Sequence, residues 1–353
     1  MDLEQMYSEI ESVLDILDFN ALWCGFHRFS FALYNEKEAC LNHKVFPKPD
    51  SFYGNTSIQY NQEIIAIWNI ELDNIEDIHI LAANLVHEMF HCFQMENKES
   101  RYPDDIELLF SPKTEEYCGL RYQDSKLLVK SYGNPNIEIL QIILYIRKKM
   151  MDYAPLSVLH EFKAETIEGC AEYVSMKSLK AISNTKYLKK MEDYSTMLSS
   201  LPLQLNPRRR SYYSGVFLYT LLENLSIDFK VFYGVSIFHN IFKQIHPKCI
   251  EIKKYKSFSK CIENQEKFFS KEYELIQKLI ENGDFIKFPS CISGYDPMNM
   301  LQKGNFIFCS SYVSLTNQNE ERVFFQPILL KVYRKNEKIQ VEGYYLYSIK
   351  DTK

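Results

Sequence analysis

The sequence predicts a mixed α+β protein: a small N-terminal β-sheet with an edge strand, a large helical middle and a small C-terminal β unit. Three observations carry that expectation. Residues 1–75 open with an amphipathic helical stretch and pass into runs rich in β-branched and aromatic residues. Residues 76–285 place apolar side chains three and four apart, the helical period. Residues 290–353 return to strand chemistry, with glycines and asparagines mostly between the runs.

In the first zone the strand-like runs are Phe29–Leu33, Phe52–Tyr60 and Ile64–Glu71, the last two joined by Asn61-Gln62-Glu63 as a hairpin connection. In the second, Asn206-Pro207 is the clearest helix start, with Asn as N-cap and Pro at the first helical position. In the third, Asn305–Ser314, Arg322–Tyr333 and Lys338–Ser348 read as strands. No internal repeat, low-complexity tract or glycine-serine linker interrupts the 353 residues.

Composition narrows the function. At 46% hydrophobic and 25% charged the chain is ordinary for a globular protein and too apolar for wholesale disorder. Forty-one Lys and Arg against 46 Asp and Glu leave a net charge of −5, no footprint for nucleic acid or an anionic membrane. The apolar run Ile142–Ile146 is far short of a membrane span, and the acidic N-terminus does not read as a signal peptide. Nine scattered cysteines without a Cys-x-x-Cys pair fit reduced thiols, hence a cytoplasmic protein.

The informative string is Leu85-Val86-His87-Glu88-Met89-Phe90-His91-Cys92-Phe93-Gln94, which contains His-Glu-x-x-His. Its segment reads as a helix. Asp73 or Asn74 can cap it, Glu76 and Asp77 suit the positive dipole end, and Leu81, Leu85, Met89 and Phe93 repeat at helical spacing. On a helix, His87 and His91 project from one face and can chelate one ion. Imidazole suits zinc, and Glu88 beside it can act as general base towards water. The plainer reading is a pair of core or surface histidines.

A catalytic zinc site needs a third protein ligand. A predicted helix over Ser157–Ser183 carries Glu161, Glu165, Glu168 and Glu172, spaced four, three and four apart along one face. Such a series is usually a solvated acidic face. Gly169, Cys170 and Ala171, however, permit close helix approach, and Ile167, Tyr173 and Val174 argue that this turn is buried. Buried carboxylates need a cation or donors nearby.

His87-Glu88-x-x-His91 followed downstream by Glu168-x-x-x-Glu172 resembles the gluzincin zinc metallopeptidases, with their thermolysin-like catalytic domain. The resemblance covers about residues 52–225 and implies a zincin-like helical region. It implies that Glu168 is the third zinc ligand and that Glu172, where an aspartate is usual, orients a ligand histidine. Glu165 is the alternative ligand, but Gly169 rather than an acid lies four residues after it. The longer than usual gap between His91 and Glu168 keeps that alternative open. Tyr212-Tyr213-Ser214-Gly215 is similar to a Tyr-x-x-Gly of aminopeptidase-like members, whose phenol donates to the oxyanion; Tyr212 fits by spacing, with Tyr213 next. The strand Ile64–Ile70 stands where the family has an edge strand that binds the substrate backbone; an ordinary buried strand is the equal alternative.

Other residues carry less. Arg208-Arg209-Arg210 can clamp a peptide carboxylate, although a solvated cluster is the commoner arrangement. His160 suits a capping or surface role, and Cys92 and Cys170 suit packing. The resemblance implies a cytoplasmic zinc metallopeptidase with one Zn²⁺ per chain and a peptide or protein substrate. Aminopeptidase and endopeptidase action both stay open, and neither a nucleic-acid nor a membrane partner is expected. A zinc-binding, catalytically inactive peptide- or partner-binding protein is the alternative, and a metal-independent helical interaction protein is a third reading.

Overall fold

A computed structural model of the chain describes residues 2–72, 77–255, 257–336 and 338–346. The protein is α+β, in two units. The first comprises Met1–Pro103, Gly119–Tyr153 and Glu161–Lys253; the second comprises Asp104–Cys118, Ala154–His160 and Lys254–Lys353.

The first unit opens with an amphipathic helix, Leu3–Leu14, capped by Asp2, whose carboxylate accepts from the Gln5 N–H at 2.7 Å. It buries Leu3, Tyr7, Ile10 and Leu14, and Tyr7 stacks on Phe31 at 4.2 Å. Strands β1 (Phe31–Tyr34), β2 (Glu38–Leu41), β3 (Lys44–Pro47), β4 (Thr56–Tyr60) and β5 (Glu63–Asn69) form one sheet in the order β3-β2-β1-β5-β4. Only β1 and β5 run parallel. Two hairpins turn on residue pairs with positive φ, Asn42-His43 (50° and 60°) and Asn61-Gln62 (48° and 70°), the hand that matches strand twist. Strands β2 and β3 exceed the sequence expectation, because four-residue strands are too short for periodicity to register.

The strand read as a possible substrate-binding edge, Ile64–Ile70, is interior. Its Ile65, Ala66 and Ile67 are buried between β1 and β4. The tight turn at Asn61-Gln62 folds β4 back along its outer side, so Thr56–Tyr60 is the edge.

The motif helix spans Ile78–Glu96 and starts at Asp77, whose carboxylate accepts from the His79 and Ile80 N–H groups at 3.0 and 3.3 Å. The expected capping residues, Asp73 or Asn74, lie outside the described residues, as does Glu76, expected beside Asp77 at the dipole end. This helix buries Leu81, Ala82, Leu85, Val86, Met89, Phe90 and Phe93, because it packs against β5 on one side and the glutamate helix on another. The expected continuous helix over 157–183 is three pieces: Pro155–Ala164, a π-turn at Glu165–Gly169, and Cys170–Ile182. The tyrosine helix, Pro207–Asn224, begins as expected, with the Asn206 side chain accepting from the Arg209 N–H at 3.0 Å. It crosses the π-turn with two glycines in contact: a Cβ on Gly215 would lie 2.3 Å from Gly169 Cα.

The second unit has its own core. Strands β6 (Asp284–Tyr295), β7 (Met300–Lys303), β8 (Phe306–Cys309), β9 (Val313–Thr316), β10 (Glu321–Phe324), β11 (Ile328–Lys335) and β12 (Lys338–Leu346) pair antiparallel in the order β10-β9-β6-β12-β11-β8-β7. Phe288, Ile307, Val313, Leu315, Leu330 and Val341 fill one face. On the other, Phe308 and Leu329 meet Ile276 and Leu279 of the helix Ser270–Asn282. The expected run Arg322–Tyr333 is two strands, and the run to Ser348 is described only to Leu346. Among the described residues no helix is long and apolar enough to cross a membrane.

Candidate metal centre

His87 and His91 lie one turn apart on the motif helix, with their Nε2 atoms 3.1 Å from each other. Glu168 Oε2 stands 3.6 Å from His87 Nε2 and 3.3 Å from His91 Nε2. Ligands about 2.0–2.2 Å from a tetrahedral zinc are about 3.3–3.6 Å apart, so the two edges to Glu168 match and the 3.1 Å edge between the imidazoles is slightly short. Among the described residues these three make the group that can hold a metal.

The outer ring nitrogens settle which atoms face inward. His87 Nδ1 lies 2.9 Å from Glu172 Oε2, and His91 Nδ1 lies 2.7 Å from Gln94 Oε1. Gln94 turns that oxygen to the ring because its amide N–H donates to the Ile167 carbonyl at 3.1 Å. An ionised carboxylate and an amide oxygen only accept, so both Nδ1 atoms carry a proton and Nε2 is the ring atom that each histidine turns to the triangle. Two ring nitrogens and a carboxylate oxygen therefore converge, a donor set complementary to a cation.

The surrounding carboxylates favour positive charge at the cluster. Burial opposes protonation of His87, but Glu168 and Glu172 overcome it and raise its pKa to about 10. Burial likewise opposes ionisation of Glu168, yet Arg208 and His91 hold it well below the usual carboxylate range. Against burial, Lys190 and His87 bring Glu172 down to about 2. Glu88 behaves differently: burial dominates and raises its pKa.

The π-turn sorts the four glutamates. The wider turn breaks the helical register, so they do not share one face, and all four are buried rather than solvated. Glu161 pairs with Arg121, its Nε at 3.0 Å. Glu165 takes two bonds from Arg147 at 2.6 and 2.9 Å and one from Ser214. Glu168 and Glu172 face the histidines. The geometry thus places Glu168 at the triangle and Glu165 in an ion pair outside it. The π-turn is held by its neighbours: Tyr219 donates to the Glu165 carbonyl at 2.9 Å, and Gln94 holds that of Ile167.

A cavity of about 640 Å³ opens onto the triangle, lined by Glu88, His91, Glu168, Arg208 and Tyr212, with Asn55, Thr56 and Ser57 at the β4 edge. The Tyr212 ring stacks over the His87 imidazole, 5.7 Å between centroids and 7° from parallel. Burial, then Glu168, pushes its phenol well above the ordinary tyrosine range, so it is a donor. Tyr213 turns away and packs edge-on against Tyr194 at 4.7 Å. The arginine triplet is not a solvated cluster. Arg208 donates to Glu168 Oε1 at 2.9 Å, Arg210 is buried against Asp124 and Ser125, and Arg209 alone is exposed. His160 accepts from the Asp104 N–H at 2.8 Å. Cys92 and Cys170 are buried thiols whose pKa values burial raises, as packing residues should be.

Sequence reasoning missed three contributors. Gln94 was legible in principle, three residues after His91 on the same helix. Tyr194, which donates to Glu172 Oε1, and Lys190, 3.6 Å from the same oxygen, carry no local signal. No protein-family model, no curated protein and no solved structure matches this chain. What the protein does has to be read from the site's own chemistry.

Proposed function

We propose that the protein is a zinc-dependent metallopeptidase of the gluzincin type, holding one Zn²⁺ on His87, His91 and Glu168. The single observation that supports this most is the three-atom triangle, its two Glu168 edges at tetrahedral lengths and both outer imidazole nitrogens already held by acceptors. Zinc bound there supplies Lewis acidity, activating water and polarising a peptide carbonyl. Glu88, kept receptive to a proton by burial, takes it from the attacking water and returns it to the leaving amine. Tyr212 donates to the oxyanion of the tetrahedral intermediate. Glu172 and Gln94 hold the imidazoles in the ligating tautomer, and Arg208 holds the outer oxygen of Glu168. An extended peptide substrate lies along the β4 edge, whose Thr56 and Ser57 line the cavity. All nine cysteines are free, which suits a reducing, cytoplasmic setting.

The test is metal content by elemental mass spectrometry on wild type and Glu168→Ala, each purified without added zinc, beside peptide hydrolysis by Glu88→Gln. A single zinc per chain, lost in Glu168→Ala, is expected. Glu88→Gln should keep zinc and lose activity by about 10²–10⁴-fold. A wild type that takes up no zinc when supplied sinks the metal reading. Zinc without hydrolysis favours an inactive peptide-binding protein on the same scaffold.

A further inference from the structure

We infer that the cleft takes a peptide by its interior, as an endopeptidase does, and does not anchor a charged chain terminus; this rests on the metallopeptidase reading above. An enzyme that trims chain ends has to hold an α-ammonium or an α-carboxylate. A charge drawn out of water needs an opposite charge not already engaged elsewhere.

In the larger cavity, the carboxylate away from the triangle is Glu99, which is 7% exposed. Arg101 takes both of its oxygens: Nε and the backbone N–H donate to Oε1, each at 2.8 Å, and Nη2 donates to Oε2. The Ser100 N–H adds a fourth bond at 2.8 Å. Glu99 is thus neutralised and does not serve an ammonium. The cation on this side, Arg208, lies on Glu168.

A second cavity, about 210 Å³, shares Glu88 and Tyr212 with the first. One cavity reaches His91 and Glu168, the other His87 and Glu172. A carbonyl seated between Glu88 and Tyr212 therefore has room for chain on both sides. In the second cavity Glu172 is engaged by His87 and Tyr194, and Lys190 stands between Glu172 at 3.6 Å and Asn84 Oδ1 at 3.5 Å. Among the described lining residues, the carboxylate outside any such pair is Glu88, the general base itself. What the cleft offers is space on both flanks, uncharged edge-strand groups and paired charges, which suits the neutral middle of an extended chain.

The experiment uses a decapeptide library randomised at its central positions and made twice, once with acetylated and amidated ends and once with both ends free. Each is incubated with the zinc-loaded full chain, and products are read by mass spectrometry. Internal cuts in both sets are expected, with kcat/KM for matched blocked and free peptides agreeing within about threefold, whereas an enzyme anchored on a terminus loses on the order of a hundredfold when that charge is removed. Cleavage confined to peptides with a free N-terminus, or with a free C-terminus held through Lys190 or Arg208, overturns the inference. If neither set is cut, both are captured on immobilised zinc-loaded Glu88→Gln. Equal capture keeps interior binding while hydrolysis fails; capture of free-ended peptides alone, or of none, overturns interior binding.

Discussion

Replacing Gly215 by alanine tests the helix crossing that aligns the site. The new Cβ would sit 2.3 Å from Gly169 Cα and 2.9 Å from its carbonyl carbon. Both are backbone atoms, so no side chain can rotate away. Carbon atoms in contact need about 3.5 Å, so the tyrosine helix and the π-turn must part by about 1.2 Å. Gly169 follows Glu168 directly, and Tyr212 lies one turn before Gly215, so the displacement falls on the proposed ligand and on the phenol above His87. Overpacking of this kind costs about 1–3 kcal/mol, a fall in melting midpoint of roughly 3–10 °C. Zinc affinity, measured by competition with a chromophoric chelator, should fall at least about tenfold. Gly169→Ala should behave alike, because its Cβ meets Gly215 Cα at 2.8 Å, and the double variant should cost less than the sum. Gly133→Ala is the control: nothing lies within 4 Å of its Cβ, and a change within about 0.5 kcal/mol is expected. A Gly215→Ala protein that melts with the wild type and binds zinc equally well would refute the reasoning.

Two further substitutions probe the supports of the site. Gln94→Leu removes both the acceptor for His91 and the donor to the Ile167 carbonyl, and should weaken zinc binding by about 10–100-fold with the fold intact by circular dichroism; unchanged affinity would take Gln94 out of the ligand support. Asp124→Asn strips the carboxylate between Arg147 and Arg210, both buried, and should cost about 3–5 kcal/mol in urea unfolding; a loss under about 1 kcal/mol contradicts that role. Against burial, the two arginines hold the Asp124 pKa below its ordinary value. Its contribution is therefore complete above the unfolded value of about 3.9 and drains as pH falls through the lower folded value. The wild-type midpoint should decline on that acid limb, and the decline should be shallower in Asp124→Asn, which a pH series of thermal melts would reveal.

Much of the fold was legible because the devices that build it are local. Asn206-Pro207 starts its helix where capping chemistry puts it, and the Asn61-Gln62 turn makes the expected hairpin; the motif helix is capped by Asp77, which the sequence suggested only as an acid at the dipole end. The strands that escaped, β2, β3, β6 and β7, are either very short or lie across the boundary drawn between helical and strand composition. The arginine triplet misled for a related reason. Successive residues on a helix point about 100° apart. Adjacent arginines thus meet Glu168, solvent and Asp124, and composition cannot distinguish these fates.

By itself the sequence determined the α+β class and the placement of His87, Glu88 and His91 on one helix at chelating distance, since a four-residue spacing is a property of the backbone alone. Tertiary structure decided which glutamate meets them. A π-turn shifts the helical register by an amount no periodicity reveals, and it is stabilised by Tyr219 and Gln94, which come from other helices. It turned Glu165 to Arg147 and Glu168 to the histidines, set Tyr212 rather than Tyr213 over His87, and left β4 rather than β5 at the sheet edge. Each outcome depends on partners far away in the chain, which local chemistry cannot specify.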